Sequence, residues 1–217
     1  MRNGNAMADN EYTTPEHALA YLANADKIPH RSEGEGVLLT FVSRQTCRIL
    51  DLGTGDGRLL SLLTLHCPHA KCIGIDFSPT MIDAASRRFD DNPRVEIQKH
   101  DLDEQLPDIG SFDAIVSSFA IHHCSNERKK SLYAEIFHRL TPGGVFCNLE
   151  HVASPTPSLH HRFLKSLGTT HEGEDPSNIL LAVETQLDWL REIGFEDVDC
   201  YWKWLELSLF GGSRRKL

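Results

Sequence analysis

The segment Ile49-Leu50-Asp51-Leu52-Gly53-Thr54-Gly55-Asp56-Gly57 constrains this chain more than any other. An apolar run from Cys47 to Leu52 reads as a buried strand, broken by three glycines at alternate positions. Leu59, Leu60, Leu62, Leu63 and Leu65 then follow as the apolar face of a helix. Strand, tight turn and helix together make the opening unit of a doubly wound α/β sheet. The glycines let the turn take positive φ and let backbone amides approach a ligand closely. The spacing is GxGxG, with Arg58 where a dinucleotide fold would carry its third glycine. Asp51 and Asp56 would repel a pyrophosphate and attract a cation.

Later segments repeat the pattern. Cys72–Asp76 is a short apolar strand ending in an acid, which at that place can accept hydrogen bonds from both hydroxyls of a ribose. Val95 to Leu102 alternates and carries Asp101, an acceptor suited to an adenine amino group. Phe112 to Phe119 gives a fourth strand, and Pro142-Gly143-Gly144 turns into a fifth. Four acids near the strand ends suit a cationic adenosine ligand.

With these residues the chain resembles the class I S-adenosylmethionine-dependent methyltransferases. The matching segments are DLGTGDG (51–57), IGIDFSPTMI (73–82), HDL (100–102), FDAIVSSFAIHH (112–123) and LTPGGVF (140–146), in the family's order. A dinucleotide dehydrogenase is supported by the first turn alone. The resemblance implies a mostly parallel seven-stranded sheet with an antiparallel edge strand, and S-adenosyl-L-methionine as cofactor. It implies cofactor contacts from Asp51, Gly53, Thr54, Gly55 and Gly57, then Asp76, Phe77 and Met81. Asp101, Leu102, Ser117 and Ser118 complete that set.

One domain over 1–217 is expected, with a helical cap over 11–45 and an inserted substrate lid over 151–182. Pro15 to Ala25 and Glu35 to Val42 read as the cap's helices, with His30 and Arg31 near the substrate. Thr156 to Leu167 reads as a helix, 172–178 as a polar turn and Val183 to Ile193 as a helix that Gly194 ends. Val198 to Trp204 and Leu205 to Phe210 read as an antiparallel pair at the sheet edge. Trp202 and Trp204 read as a core face.

Composition narrows the function. At 217 residues and 40% apolar content the chain can bury a full core. No apolar run approaches a bilayer span, and the polar first residues lack a hydrophobic signal core, so a cytoplasmic protein is expected. The six cysteines form no CxxC and read as reduced packing residues. A net charge of −9 opposes nucleic acid as a partner. The expected partner is a small-molecule methyl acceptor; the oligomeric state is not written in the sequence.

Methyl transfer from a sulfonium is an in-line displacement, so the enzyme positions the acceptor and, where needed, removes its proton. His122 and His123 after the fourth strand, and Glu150 and His151 after the fifth, are the catalytic candidates. A histidine pair after strand four is frequent in the superfamily whatever the substrate, so one ring also reads as packing. No metal is expected: His160-His161 has no carboxylate at ligand spacing in sequence. The part from Glu184 onward is similar to carboxy-S-adenosylmethionine synthases, which hold the extra carboxylate with an arginine after strand five. His171 to Leu181 here holds no arginine or lysine. The preferred reading is transfer to a small-molecule oxygen or nitrogen. A cofactor-modifying enzyme and a non-catalytic cofactor-binding protein are the alternatives.

Overall fold

The computed structural model describes residues 28–216. The expected helix Pro15 to Ala25, and the part of the cap before residue 28, lie outside the described residues. Seven strands form one sheet in the order β3-β2-β1-β4-β5-β7-β6. They are β1 (Arg48–Leu52), β2 (Lys71–Asp76), β3 (Val95–Lys99), β4 (Phe112–Ser118), β5 (Leu140–His151), β6 (Glu196–Trp204) and β7 (Leu207–Ser213). β1 pairs in parallel with β2 and β4, and β4 with β5. β7 runs antiparallel to both β5 and β6. The expected antiparallel pair therefore closes the edge, with the reversed strand one place in from it.

Alternation along β1 sends its residues to two helical layers. Leu50 and Leu52 pack with Leu132, Tyr133 and Ile136 of α4 (Asn126–Arg139) and Leu187 and Leu190 of α6 (Val183–Ile193). Ile49 packs with Leu38 of α1 (Arg31–Phe41) and Leu59, Leu60 and Leu63 of α2 (Arg58–His66). Each such fully buried leucine or isoleucine contributes roughly 1.5–3 kcal/mol. Between these, α3 (Pro79–Arg88) follows β2. The order of strands reverses between β1 and β4, and the crevice at that switch point is where an open α/β sheet takes its ligand.

Helix α1 starts four residues before the expected Glu35. Gly34, in its first turn, serves packing. A Cβ there would lie 2.7 Å from Leu149 Cδ1 and 3.0 Å from Trp202 Cζ3, so a side chain at Gly34 would push on the Leu149 and Trp202 side chains beneath α1. Trp202 and Trp204 pack with Phe163 and Leu164 of α5 (Pro157–Leu167) and with Leu207, as the core reading expected.

The 151–182 insertion is anchored rather than loose. Thr156 caps α5 by accepting the Leu159 N–H. Buried Lys129 of α4 donates to the Cys124 and Ile179 carbonyls, each at 2.6 Å. Among the described residues, no helix is long and apolar enough to cross a membrane.

Candidate cofactor and acceptor site

The carboxyl ends of β1, β2 and β4 surround one cavity. Its lining includes Asp51, Gly53, Thr54, Gly55, Asp76, Phe77, Met81, Asp101, Leu102 and Ser118, all expected from the sequence. Gly53, Gly55 and Gly57 have φ of 66°, 57° and 81°, the left-handed turn that their spacing required. At Gly53 a side chain would also collide with Ala120.

Two acids organise the turn. Asp76 is buried and accepts the Gly55 N–H at Oδ2 and the Ser78 N–H at Oδ1, both at 2.9 Å. Burial pushes its pKa up, against the pull of those amides. Asp51 is 1% exposed. Its Oδ2 accepts the Thr54 hydroxyl at 2.7 Å, while its buried Oδ1 has no protein partner. Desolvation raises its pKa to about 7, with Thr54 and Arg31 opposing and Asp76 adding to the rise. A buried carboxylate oxygen facing a cavity without a partner fits the amino group of an amino acid.

The other wall carries Arg31, Arg58, Phe119, Ala120, His123 and Cys124. Phe119 holds a φ of 54°, rare for an aromatic residue, at the bend where β4 ends. The Arg31 guanidinium lies 5.2 Å from its ring centroid. Glu35, 2% exposed, accepts from Arg31 Nε at 2.9 Å and from Arg58 Nε at 2.8 Å. Sequence reading missed Glu35; its signal is the i,i+4 spacing from Arg31, visible only once the helix is known to begin at Arg31.

Several expected site residues lie off this cavity. Ser117 is fully buried and gives its hydroxyl to the Leu52 carbonyl at 2.9 Å, on the sheet side of its strand. Exposed His30 bonds Glu33 at 2.7 Å and stacks on Trp204 at 4.4 Å. Glu150 has no exposed surface; it accepts the His122 N–H at 3.0 Å, the His151 N–H at 2.9 Å and the His122 Nδ1 at 2.5 Å. All of its bonds are internal, and burial pushes its pKa up to about 7. His151 projects to the other face and bonds buried Glu206 at 2.9 Å. Strand alternation at β5 thus sends the two residues to opposite faces, and neither lines the cavity.

Of the four catalytic candidates His123 alone is on the cavity wall. Its Nδ1 is 3.0 Å from the Ser177 hydroxyl, and burial lowers its pKa to about 3. His122 is driven well below the ordinary histidine value, again first by burial. No residue of the expected lid lines the cavity; the insertion reaches its wall through Ser177 and through Ile179 N–H to the His122 carbonyl at 3.0 Å. The expectation of no carboxylate near His160 does not hold in space. Glu174 and Glu206 both bond it, because the insertion folds back on α5 and the β6–β7 turn.

Residues 49–144 match a family described as a methyltransferase domain. The carboxy-S-adenosyl-L-methionine synthase of Helicobacter hepaticus is 27% identical over 209 residues, 83% of this chain and 84% of that protein. The demethylmenaquinone methyltransferase of Thermus thermophilus is 34% identical over 111 residues, 50% of this chain and 49% of that one, so the match spans about half its length. Among solved structures, an O-methyltransferase family protein from Burkholderia thailandensis superposes with a TM-score of 0.74 at 18% identity, covering 98% of this chain and 66% of that one. That likeness is one of fold.

Proposed function

We propose that this chain, whose residues 49–144 match a methyltransferase domain, is a class I S-adenosylmethionine-dependent enzyme that transfers the methyl group to an oxygen or nitrogen atom of a small molecule. One observation carries this reading: the cofactor-side acids Asp51, Asp76 and Asp101 share one cavity with Ser118, Phe119 and His123. A net charge of −9 opposes a phosphate backbone as the acceptor.

Asp51 would hold the amino group of the cofactor and Arg31 its carboxylate. Asp76 would take the ribose, and Asp101 with Leu102 the adenine. Bound there, the cofactor supplies an activated methyl on a sulfonium. Ser118, Phe119 and His123 then hold the acceptor in line with it. A histidine with its pKa near 3 is neutral at physiological pH and too weak a base to take a proton from an alcohol. It orients the acceptor by hydrogen bonding, and the rate comes from proximity.

The second reading is a carboxylated-cofactor enzyme, favoured by the breadth of the Helicobacter hepaticus match. The absence of arginine and lysine from 171–181 opposes it. Incubation of the purified chain with S-adenosylmethionine and a soluble metabolite pool, read by mass spectrometry, separates the readings. A methylated metabolite with matching S-adenosylhomocysteine is the expected result. A cofactor heavier by one carboxylate, or cofactor binding with no turnover on any pool, overturns it.

A further inference from the structure

The insertion after β5 brings together three donor groups that the site above does not use. His160 lies on α5, His171 opens a short 3-10 turn (His171–Gly173), and Glu174 ends it. His160 Nε2 is 3.3 Å from both His171 Nδ1 and Glu174 Oε2. His171 Nδ1 is 2.8 Å from Glu174 Oε2. A tetrahedral ion with bonds of ~2.0–2.1 Å sets neighbouring donors about 3.3 Å apart. Two of the three separations have that value, and the third needs only a small opening of the Glu174 side chain.

The ring behind the cluster is oriented for the same purpose. His160 Nδ1 lies 2.7 Å from Glu206 Oε1, and Glu206 has no exposed surface. That carboxylate also takes His151 at 2.9 Å and the Ser154 hydroxyl, so it is an acceptor on every side. With Nδ1 held by Glu206, Nε2 is the nitrogen that faces His171 and Glu174, and a bound ion would replace the proton shared there. A buried carboxylate holding the far nitrogen of a histidine is the usual support of a metal ligand.

We propose that His160 Nε2, His171 Nδ1 and Glu174 bind one divalent zinc-type ion, with water in the fourth position, and that the ion pins the 171–174 turn to α5. Two imidazoles and one carboxylate suit zinc and oppose magnesium and calcium, which want oxygen donors. None of the three residues lines the cofactor cavity, so the ion's role is to fix the insertion. Without an ion the same groups form an ordinary hydrogen-bond cluster, with His171 donating to Glu174. Solution binding separates the two.

The test uses the full chain, freed of metal by a chelator and titrated calorimetrically with Zn²⁺ and, in parallel, Mg²⁺. One equivalent of Zn²⁺ is expected, held at least ~100-fold more tightly than Mg²⁺. His171→Ala and Glu174→Gln should each weaken it by ten-fold or more, on the order of what losing even a supporting residue does. His161→Ala, exposed on the same helix, should leave it unchanged. Zinc should also slow cleavage of the 168–176 segment by a protease, and not in either variant. Circular dichroism checks the fold; should His171→Ala misfold, Glu174→Gln, nearly isosteric, decides alone. No stoichiometric zinc, a preference for magnesium, or full affinity retained in either folded variant overturns the proposal.

Discussion

Glu35 on α1 takes two hydrogen bonds from Arg58, the first residue of α2: Nε to Oε1 at 2.8 Å and Nη2 to Oε2 at 3.0 Å. This paired contact clamps the helix before the sheet to the end of the glycine turn, and Arg31 shares the same carboxylate. The two arginines that line the cavity are thus held by one buried acid between them.

Removing that acid takes away the carboxylate that Arg31, 7% exposed, shares with Arg58. Glu35→Ala should lower the unfolding free energy by about 3 kcal/mol, the low end for a broken buried pair because Arg58 is 30% exposed. Chemical denaturation measures it, and cofactor affinity should fall as Arg31 shifts. A loss below about 1 kcal/mol would show that solvent satisfies the arginines and that the clamp is not structural.

Much of the frame was legible because local chemistry decides it. Val183–Ile193 is a helix to the residue, since its apolar face is periodic and Gly194, at φ 111°, ends it. The strand-tip acids were legible because an acid closing an apolar run has few other uses. What failed was direction and distance. Glu150 and His151 were placed correctly at the end of β5, yet which face each takes depends on the register against β7, where His151 pairs with Leu207. Ser117 and Ser118 differ by the same one-residue alternation. Glu206, and the meeting of His160 with His171 and Glu174, come from tertiary folding of the insertion and leave no local pattern.

Asp76 tests the cofactor assignment. Asp76→Ala removes the acceptor for the ribose and also the one that fixes the Gly55 and Ser78 amides. Affinity for S-adenosylhomocysteine should drop by roughly 1.5–3 kcal/mol, about 10- to 150-fold. Unchanged affinity by calorimetry would remove Asp76 from the ribose.

Cofactor binding should depend on pH through Asp51. Its pKa in the free protein is raised to about 7, so below that pH the carboxyl is protonated and offers no charge to the cofactor's amino group. An ammonium beside Oδ1 favours the ionised form and lowers the bound-state pKa. Affinity should therefore be level above pH 7 and fall as pH drops below it, by up to ~10-fold per unit. Asp51→Asn should abolish the slope and weaken binding at pH 8. The same substitution should stabilise the free protein at pH 8, because a carboxyl whose folded pKa is raised costs stability once it ionises. A flat affinity between pH 5.5 and 8 in the native chain would contradict the assignment.

The acceptor side turns on which histidine touches the substrate. His123 lies on the cavity wall, whereas Glu150 and His151 do not line it and bond His122 and Glu206 instead. With an acceptor identified, His123→Ala should cut turnover by at least ~10-fold with cofactor affinity retained, the loss of one orienting hydrogen bond. His151→Ala should stay within a few-fold of the native rate. Glu150→Gln should act mainly on stability, because its amide would set an N–H against the His122 donors, costing roughly 1–3 kcal/mol. The pH profile separates orientation from base catalysis. A neutral orienting ring with its pKa near 3 gives no His123 limb between pH 5 and 8, while a working base would give a limb that His123→Ala removes. If instead His151→Ala falls 10²–10⁴-fold with its cofactor affinity intact, the strand-five histidine is the general base. The insertion would then have to shift in the acceptor complex to bring it to the methyl.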